Sequence, residues 1–236
     1  MPYFDIHTHI IPGIDDGSPD EDITFNMLKM SYESGVKNII LTSHYNEYRN
    51  QIADVKEHID KVQNIASRIS NDLKVYPGNE IFYSNNSKRL LQENKISTLA
   101  NSKYVLIEFF YDVSLREIEN AVNELSMCGY WPIIAHIERY SCMHEKGAAQ
   151  YISSLGAYLQ MNAGYIMNAK FKDSRFISKL FKENLISFVA SDCHNITSRA
   201  PNLGECAKFL NKKYSSELVE KLLIHNPQKI INKERI

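Results

Sequence analysis

A chain of 236 residues is long enough for one large α/β domain with a substantial core. Its 27 basic and 28 acidic residues give a formal net charge of -1 without a long basic run, which argues against nucleic-acid binding. No apolar run is long enough for membrane insertion, and the N-terminus lacks a signal-peptide pattern. The four cysteines form no Cys-x-x-Cys pair, so we expect reduced thiols in a cytoplasmic protein.

Short apolar runs alternate with helical patterns along the chain. Most of the apolar runs are rich in Ile, Val and Leu, which is typical of strands buried on both faces. Strands are predicted at residues 3-8, 38-43, 74-82, 104-109, 132-136, 158-162 and 186-191. Helices are predicted near 20-34, 51-70, 114-128, 145-155 and 173-184, with a short helix in 84-100 and two in 202-236. Seven βα repeats predict a parallel barrel in a single domain, residues 1-236.

Histidine or an acidic residue lies at the end of nearly every predicted strand. His7 and His9 share one face of the first strand because successive side chains alternate. In a parallel barrel the C-terminal strand ends open on one face, where active sites lie. We therefore expect eight side chains to converge there: His7, His9, His44, Glu80, Glu108, His136, Asp192 and His194.

A glycine-flanked loop offers a ninth candidate, Asp16, although a plain Asp-Gly turn would also explain it. The neighbouring Asp15 is interpreted as a turn residue. Nine ligands suit two or three ions, and clustered carboxylates would repel one another unless cations neutralised them. Imidazole and carboxylate ligands without thiolate are typical of Mn²⁺, Fe²⁺, Co²⁺ or Zn²⁺. Such a cluster acidifies a bridging water and stabilises an in-line displacement at phosphorus.

Two arginines follow the candidate ligands closely, Arg139 three residues after His136 and Arg199 five residues after His194. A guanidinium group can hold a phosphate through two parallel hydrogen bonds. Each arginine alone could form a surface salt bridge instead. Together, beside a metal cluster, they favour a phosphate ester over an amide or sugar substrate.

The sequence resembles the polymerase-and-histidinol-phosphatase (PHP) superfamily. Within it, the chain is similar to the bacterial metal-dependent protein-tyrosine phosphatases of the CpsB/CapC group. The motifs that carry the resemblance are Asp5-Ile6-His7-Thr8-His9, Gly13-Ile14-Asp15-Asp16-Gly17, Thr42-Ser43-His44, Gly78-Asn79-Glu80, Leu106-Ile107-Glu108-Phe109, Ile134-Ala135-His136-Ile137-Glu138-Arg139-Tyr140 and Ser191-Asp192-Cys193-His194-Asn195.

The resemblance implies a distorted (β/α)7 barrel with parallel strands ringed by helices and a trinuclear, commonly manganese, site. It implies that a metal-bound hydroxide attacks phosphorus and that Arg139 and Arg199 bind the phosphoryl group. The implied substrate is the phosphotyrosine tail of a bacterial tyrosine kinase that controls capsule or exopolysaccharide synthesis. The implied ion ligands are His7, His9, Glu80 and Asp192 for the first, Glu80, Glu108 and His136 for the second, and Asp16, His44 and His194 for the third.

Three other functions remain open. Cys193 and Arg199 have the Cys-x5-Arg spacing of thiol phosphatases, but the intervening residues contain no glycine. A small-molecule phosphatase, such as a histidinol-phosphate phosphatase, would use the same metal chemistry. A regulatory module without catalysis would be expected to have lost ligands, whereas the full set is present. The oligomeric state is left open.

Four residues near the candidate ligands are given supporting roles. Asp5 is expected to support the first strand and to hold an imidazole tautomer. Asn162 is expected either to cap a strand end, the favoured role, or to line the pocket. Tyr45 stands where many relatives carry another histidine or an arginine, and Tyr48 follows in the same loop. Both tyrosines are expected either to line the site entrance or to pack against a helix.

Overall fold

The computed structural model describes residues 1–52 and 54–236. All pairings between its named strands are parallel. The strands form a three-stranded sheet of order β1-β2-β4 and a six-stranded sheet of order β3-β5-β6-β7-β8-β9. Their bounds are β1 Tyr3–Thr8, β2 Val36–Leu41, β3 His44–Tyr45, β4 Lys74–Pro77, β5 Glu80–Phe82, β6 Tyr104–Glu108, β7 Trp131–Ile134, β8 Tyr158–Asn162 and β9 Ile186–Ala190.

Hydrogen bonds join the edges of the two sheets. On one side, the amide of His9 donates to the Cys193 carbonyl and the amide of Asp192 donates to the His7 carbonyl, both at 2.9 Å. On the other side, the amide of Glu80 donates to the Thr42 carbonyl at 3.1 Å. These contacts bring the end of β1 beside the segment that follows β9, and they bring β5 beside the end of β2.

The predicted strand 74-82 is two strands that belong to different sheets. The chain leaves the first sheet after Pro77 and enters the second at Glu80. A Cβ on Gly78 would lie 2.8 Å from side-chain carbons of Ile40 and Leu99, so a larger residue at this crossing would force those side chains to shift. The Asn79 side chain then donates to the Ser43 carbonyl at 3.0 Å. The chain makes the same switch between β2 and β3.

The helices lie between the strands, largely where amphipathic patterns predict them. The region predicted as helix 51-70 begins as 3-10 helix Val55–His58, and its residue 53 lies outside the described residues. The α-helices are α1 Glu21–Glu33, α2 Ile59–Ser67, α3 Ser87–Gln92, α4 Leu115–Met127, α5 Ala148–Ser154, α6 Ala163–Asn168, α7 Phe171–Lys182, α8 Leu203–Lys213, α9 Ser216–Glu220 and α10 Asn226–Asn232. A π-helical segment, Lys221–His225, joins α9 to α10. None of the described helices is long and apolar enough to cross a bilayer.

Most strands are buried on both faces, as their continuous apolar sequences predict, whereas β4 begins at the exposed Lys74. Alternate residues of β6 and β7 belong to different hydrophobic clusters. Ile107 and Ile134 pack in the larger cluster, which includes helix residues, whereas Leu106 and Ile133 pack in a smaller cluster with Ile230 of α10. This double burial fixes the register, and thereby the positions of the polar side chains at the strand ends.

Candidate active site

The nine predicted ligands lie together at the C-terminal ends of the strands. His44 and Glu80 are register partners on neighbouring strands, and Asp16 reaches the cluster from the loop before α1. The nitrogen and oxygen atoms form four overlapping groups, each with all its atoms within 4.8 Å of one another. The groups are His9, Asp16, His44 and His194; His7, Glu80 and His136; His7, His9 and Asp192; and His44, Glu80 and Glu108.

The carboxylate of Glu80 lies at the centre of the cluster. Its Oε2 lies 3.2 Å from the Nε2 atoms of both His7 and His9 and 3.1 Å from His44 Nδ1. Its Oε1 lies 2.7 Å from His136 Nε2. Burial alone would raise the pKa of Glu80, but the charges of His7 and His44 lower it well below the usual value. Glu80 is therefore an ionised carboxylate that contacts four imidazoles.

Four of the five imidazoles are held at Nδ1 by other protein groups. An outer partner of this kind fixes the ring and leaves the opposite nitrogen free to bind a metal. Their Nε2 atoms are directed toward the carboxylate cluster. The Nδ1 contacts are His7 with Gln160 Oε1 at 3.3 Å, His9 with Asp15 Oδ2 at 2.9 Å, His136 with Tyr140 Oη at 3.3 Å and His194 with the Asp192 carbonyl at 3.0 Å.

Asp15 is one of the functional residues that sequence reasoning missed. It does form a turn, since its Oδ1 accepts from the Gly17 amide at 2.9 Å. Its side chain is nevertheless fully buried, and its Oδ2 accepts from His9 Nδ1 and from the His44 amide at 3.1 Å. Burial would lower the pKa of His9, but Asp15 outweighs it and raises that pKa to about 9. The turn thus supplies the carboxylate that orients His9.

Asp192 is clamped by both candidate phosphate-binding arginines. The Arg139 guanidinium donates to its Oδ2, and Arg199 Nη2 donates to its Oδ1 at 2.9 Å. Asn162 Nδ2 also donates to Oδ2, at 2.7 Å. Burial opposes ionisation, yet the charges of His7 and Arg139 hold the pKa of Asp192 far below its usual value. Both guanidinium groups therefore lie directly beside the carboxylate cluster.

Two supporting residues have partners that the sequence did not predict. Asp5 contacts no imidazole; its Oδ1 accepts from the amides of His7 and Ser191, at 3.4 and 3.1 Å. It therefore joins β1 to the end of β9, and burial raises its pKa to about 6. Asn162 has no capping hydrogen bond at the start of α6 and bonds Asp192 instead. The partner of the His7 ring is Gln160, which strand periodicity alone could not identify.

Two site residues have left-handed backbone conformations, which are unfavourable for residues with a Cβ. His136 has φ of +32° and Asp192 has φ of +53°. Each lies two residues beyond the last residue of a strand, β7 and β9 respectively, where continued extended geometry would carry its side chain elsewhere. The surrounding hydrogen bonds, including the one from the His136 amide to Gln160 Oε1 at 2.8 Å, hold this strained geometry.

The donor set fits divalent cations. His44 Nδ1 and His194 Nε2 are buried and have no hydrogen-bond partner among residues 1–52 and 54–236. His44 Nδ1 lies 3.1 Å from both Glu80 Oε2 and Glu108 Oε1, but the geometry of neither contact is that of a hydrogen bond. Burial and the charge of His9 lower the pKa of His194 to about 3, so this imidazole is neutral, the form that binds metal. Unpartnered nitrogens beside ionised carboxylates are what a site for hard or borderline cations requires.

A narrow cleft of about 120 Å³ leads from the surface to this cluster. Its inner end is polar and contains His44, Glu108, Arg139 and Arg199, and a third arginine, Arg49, also lines the cleft. Its outer walls are aromatic and consist of Phe82, Phe109, Phe110 and Tyr111. The cleft therefore pairs an anion-binding end with a surface suited to an aryl ring.

Cys193 lies outside this cleft and is fully buried. Burial, followed by the charge of Asp5, raises the pKa of its thiol far above the usual range. A thiol nucleophile needs the opposite, a lowered pKa and access to substrate. The geometry therefore argues against the Cys-x5-Arg interpretation.

Comparison with known proteins identifies the family of the chain. The family described as "Capsular polysaccharide synthesis, CpsB/CapC" matches residues 3–232. The chain belongs to the CpsB/CapC family. It is 34% identical to the tyrosine-protein phosphatase CpsB of Streptococcus pneumoniae, over 96% of this chain and 97% of that protein. It is 33% identical to the tyrosine-protein phosphatase YwqE of Bacillus subtilis, over 98% of this chain and 92% of that protein.

A solved structure of this CpsB/CapC family superposes closely. It comes from a study of YwqE and CpsB, which its authors describe as metal-dependent tyrosine phosphatases. The TM-score is 0.90 at 31% identity, with 99% of this chain and 96% of the other covered. The match extends along the whole chain and confirms an α/β fold with parallel strands of the PHP type.

Replacing Asp15 with asparagine is expected to lower metal affinity about tenfold to 100-fold, the usual effect of losing a partner that orients a ligand. Asparagine keeps the size of the side chain but removes the charge that holds His9. Calorimetric titration of the metal-free protein with Mn²⁺ measures the change. The exposed Asp60 provides a matched control, Asp60→Asn, which should bind as the wild type does. Equal affinity in Asp15→Asn would show that the His9 contact is dispensable.

Proposed function

We propose that this protein is a metal-dependent tyrosine-protein phosphatase. One observation carries the proposal: the imidazole and carboxylate cluster and two guanidinium groups meet at the inner end of a cleft with aromatic walls. The cluster suits cation-assisted hydrolysis, the arginines suit a phosphoryl group, and the walls suit a phenyl ring. The family membership and the names of the relatives support the same activity.

The nine clustered side chains are proposed to hold two or three divalent ions, with Mn²⁺ as the expected metal and Fe²⁺, Co²⁺ or Zn²⁺ as alternatives. When bound, such ions acidify a water molecule and stabilise charge on the phosphoryl oxygens. The central position of Glu80 suits a bridging ligand. The proposed ligands are His7, His9, Asp16, His44, Glu80, Glu108, His136, Asp192 and His194.

Arg139 and Arg199 are proposed to bind the phosphoryl oxygens. Both line the cleft, and both are held at its inner end by Asp192. Phe110 and Tyr111 are exposed at the outer end, where they can contact the phenyl ring of a substrate. The leaving phenolate has a conjugate acid of pKa about 10, so it needs less proton assistance than an alkoxide. The chemistry therefore does not require a dedicated general acid.

The supporting scaffold is proposed to be one distorted (β/α)7 barrel in a single domain, residues 1-236. The hydrogen bonds across both pairs of sheet edges support this interpretation. So do the switches between β2 and β3 and between β4 and β5, since each pair then counts as one bent barrel strand.

The proposed physiological substrate is a phosphotyrosine-containing protein, the tail of a bacterial tyrosine kinase that regulates capsule or exopolysaccharide synthesis. The capsular description of the family supports this context. Action in the cytoplasm is proposed because the four cysteines are all unpaired.

A substrate panel tests the proposed activity. The metal-loaded protein is given a phosphotyrosyl peptide, the matching phosphoseryl peptide and histidinol phosphate. We expect kcat/KM to be highest for the phosphotyrosyl peptide, because only it places an aryl ring against the cleft walls. A higher value for histidinol phosphate would instead indicate a small-molecule phosphatase. Stable metal binding without hydrolysis of any substrate would indicate a regulatory module.

Replacing Cys193 with serine is expected to leave kcat/KM within about threefold of the wild type. The thiol is buried and outside the cleft, and serine differs little in size. A buried hydroxyl needs a hydrogen-bond partner, so a modest loss of thermal stability is also expected. Hydrolysis of the phosphotyrosyl peptide and a melting curve measure the two effects. An inactive but folded Cys193→Ser protein would support thiol chemistry.

A further inference from the structure

A second concavity, here called the flanking groove, lies beside the catalytic cleft. It has a volume of about 510 Å³, and Phe82, Phe109 and Phe110 line both it and the cleft. A peptide whose phosphotyrosine enters the cleft can therefore run along this groove. An extended chain advances about 3.3 Å per residue, so a side chain within about three residues of the phosphotyrosine can reach it.

One side of the flanking groove is an exposed aromatic cluster of Tyr48, Phe82 and Phe110. The Phe82 and Phe110 rings pack edge to face with centroids 4.5 Å apart, and Tyr48 packs on Phe82 at 5.7 Å. Tyr48 is 71% exposed and Phe110 is 58% exposed. Aromatic rings so open to solvent and so close to a catalytic cleft are typical of a binding surface. The backbone of Tyr48 is held by a hydrogen bond from its N–H to Asn46 Oδ1 at 3.0 Å.

The charged side chains that line the groove are both acidic. They are Asp112 and Glu117, and no basic residue lines it among the described residues. Hydrogen bonds from the Ser114 hydroxyl and amide lower the pKa of Glu117, so it is ionised at neutral pH. The cleft itself carries three arginines, Arg49, Arg139 and Arg199, beside the acidic Asp16 and Glu108, whereas the charged lining of the groove is acidic alone.

We propose that the flanking groove binds a lysine or arginine side chain of the substrate, within about three residues of the phosphotyrosine. A cation above Tyr48 or Phe110 gains a cation–π interaction, and Asp112 and Glu117 provide opposite charge. The same surface disfavours acidic neighbours of the phosphotyrosine. The inference rests on the proposed tyrosine phosphatase activity and adds sequence selectivity to it.

The carboxylates of Asp112 and Glu117 favour a basic side chain over an apolar one in the flanking groove. An aliphatic side chain would bury part of the aromatic surface, but it would also desolvate Asp112 and Glu117 without compensation. A lysine or arginine covers the rings with its methylene stem and brings its charge to the carboxylates.

Peptide kinetics on the metal-loaded protein test the selectivity. The peptides share one phosphotyrosine in a neutral sequence and carry Lys, Gln, Leu or Glu at each position from three before it to three after it. At low ionic strength we expect at least one position where Lys raises kcat/KM about fivefold over Gln, and where Glu lowers it. The preference should shrink as salt screens the charges.

The double variant Asp112→Asn with Glu117→Gln should bring the Lys-to-Gln ratio close to one. Glutamine can replace glutamate in the capping box that begins α4, so the helix is retained. Because both peptides are measured on the same variant, a general change in activity cancels from the ratio. Asp60→Asn, which removes an exposed carboxylate elsewhere, should keep the wild-type ratio.

Each outcome separates the inference from the activity on which it rests. Equal rates for Lys and Gln at every position, or a preference for Leu over Lys, would overturn the assignment of the groove while leaving the phosphatase intact. A ratio that survives the double variant would also overturn it. Failure to hydrolyse every peptide and free phosphotyrosine would overturn the proposed function itself.

Discussion

Removal of the bound metal is expected to lower phosphotyrosine hydrolysis at least about 10³-fold, the size of effect seen when a principal electrostatic stabiliser is lost. The protein residues supply no evident replacement. Glu80 and Asp192 are buried anions, and they occupy the inner end of the site where a phosphoryl dianion must approach. Without cations, this negative charge opposes the substrate.

The measurement is hydrolysis of a phosphotyrosyl peptide by chelator-treated protein, before and after addition of Mn²⁺. Metal content by mass spectrometry and the melting temperature are followed in parallel. Binding to the folded state alone should stabilise it by about 2.7 kcal/mol when Mn²⁺ is 100-fold above its dissociation constant. Thiol alkylation of the Mn²⁺-loaded protein is the control and should leave the activity unchanged.

A result opposite to this expectation would be informative. Full activity in protein proved free of metal, together with loss of activity on alkylation, would support a thiol mechanism in which Cys193 is the nucleophile and Arg199 binds the phosphate. Restoration of stability without restoration of activity would mean that the ions are structural.

The convergence of the candidate ligands could be predicted from the sequence because parallel strands bring their C-terminal ends to one face. Each strand end then needs only to be located, and a buried apolar run locates it to within a residue or two. The position of His44 beside Glu80 follows from this rule even though the strand boundaries differ from those predicted. The switch between sheets at Gly78 was missed, although Pro77-Gly78 is a recognisable breaker.

The partners that orient the ligands could not be predicted in the same way. Asp15 and Asp16 are adjacent and look alike in sequence, yet one side chain is buried against His9 and the other is half exposed near His44. Gln160 contacts His7 across 153 positions of sequence. Such contacts depend on loop conformation and side-chain rotamers rather than on periodicity. The short helix α6 was missed because it has six residues, a glycine near its start and no side-chain cap.

Replacing Arg139 with alanine is expected to lower kcat/KM about 10²-fold to 10³-fold, mainly through kcat, if its contact with the phosphoryl group strengthens in the transition state. Arg139 is the more buried of the two arginines, with its side chain 28% exposed against 38% for Arg199. Its charge therefore acts in a less screened environment, and Arg199→Ala should have a smaller effect.

Arg139→Lys should recover only part of the lost activity. It keeps the positive charge but cannot form two parallel hydrogen bonds to phosphoryl oxygens. A structural loss is the main competing explanation, because Arg139 also bonds Asp192. Metal content separates the two, since Asp192 keeps its bonds from Arg199 and Asn162 and should still bind metal in the variant.

The matched control is Arg68→Ala, which removes a guanidinium that stacks on Phe25. It should cost some stability through the loss of that contact but keep the wild-type kcat/KM. Steady-state kinetics with the phosphotyrosyl peptide and with inorganic phosphate as inhibitor complete the test. Weaker inhibition by phosphate in Arg139→Ala, at unchanged metal content, would locate the phosphoryl group at this side chain. Activity within threefold of the wild type would instead leave Arg139 only its structural bond to Asp192.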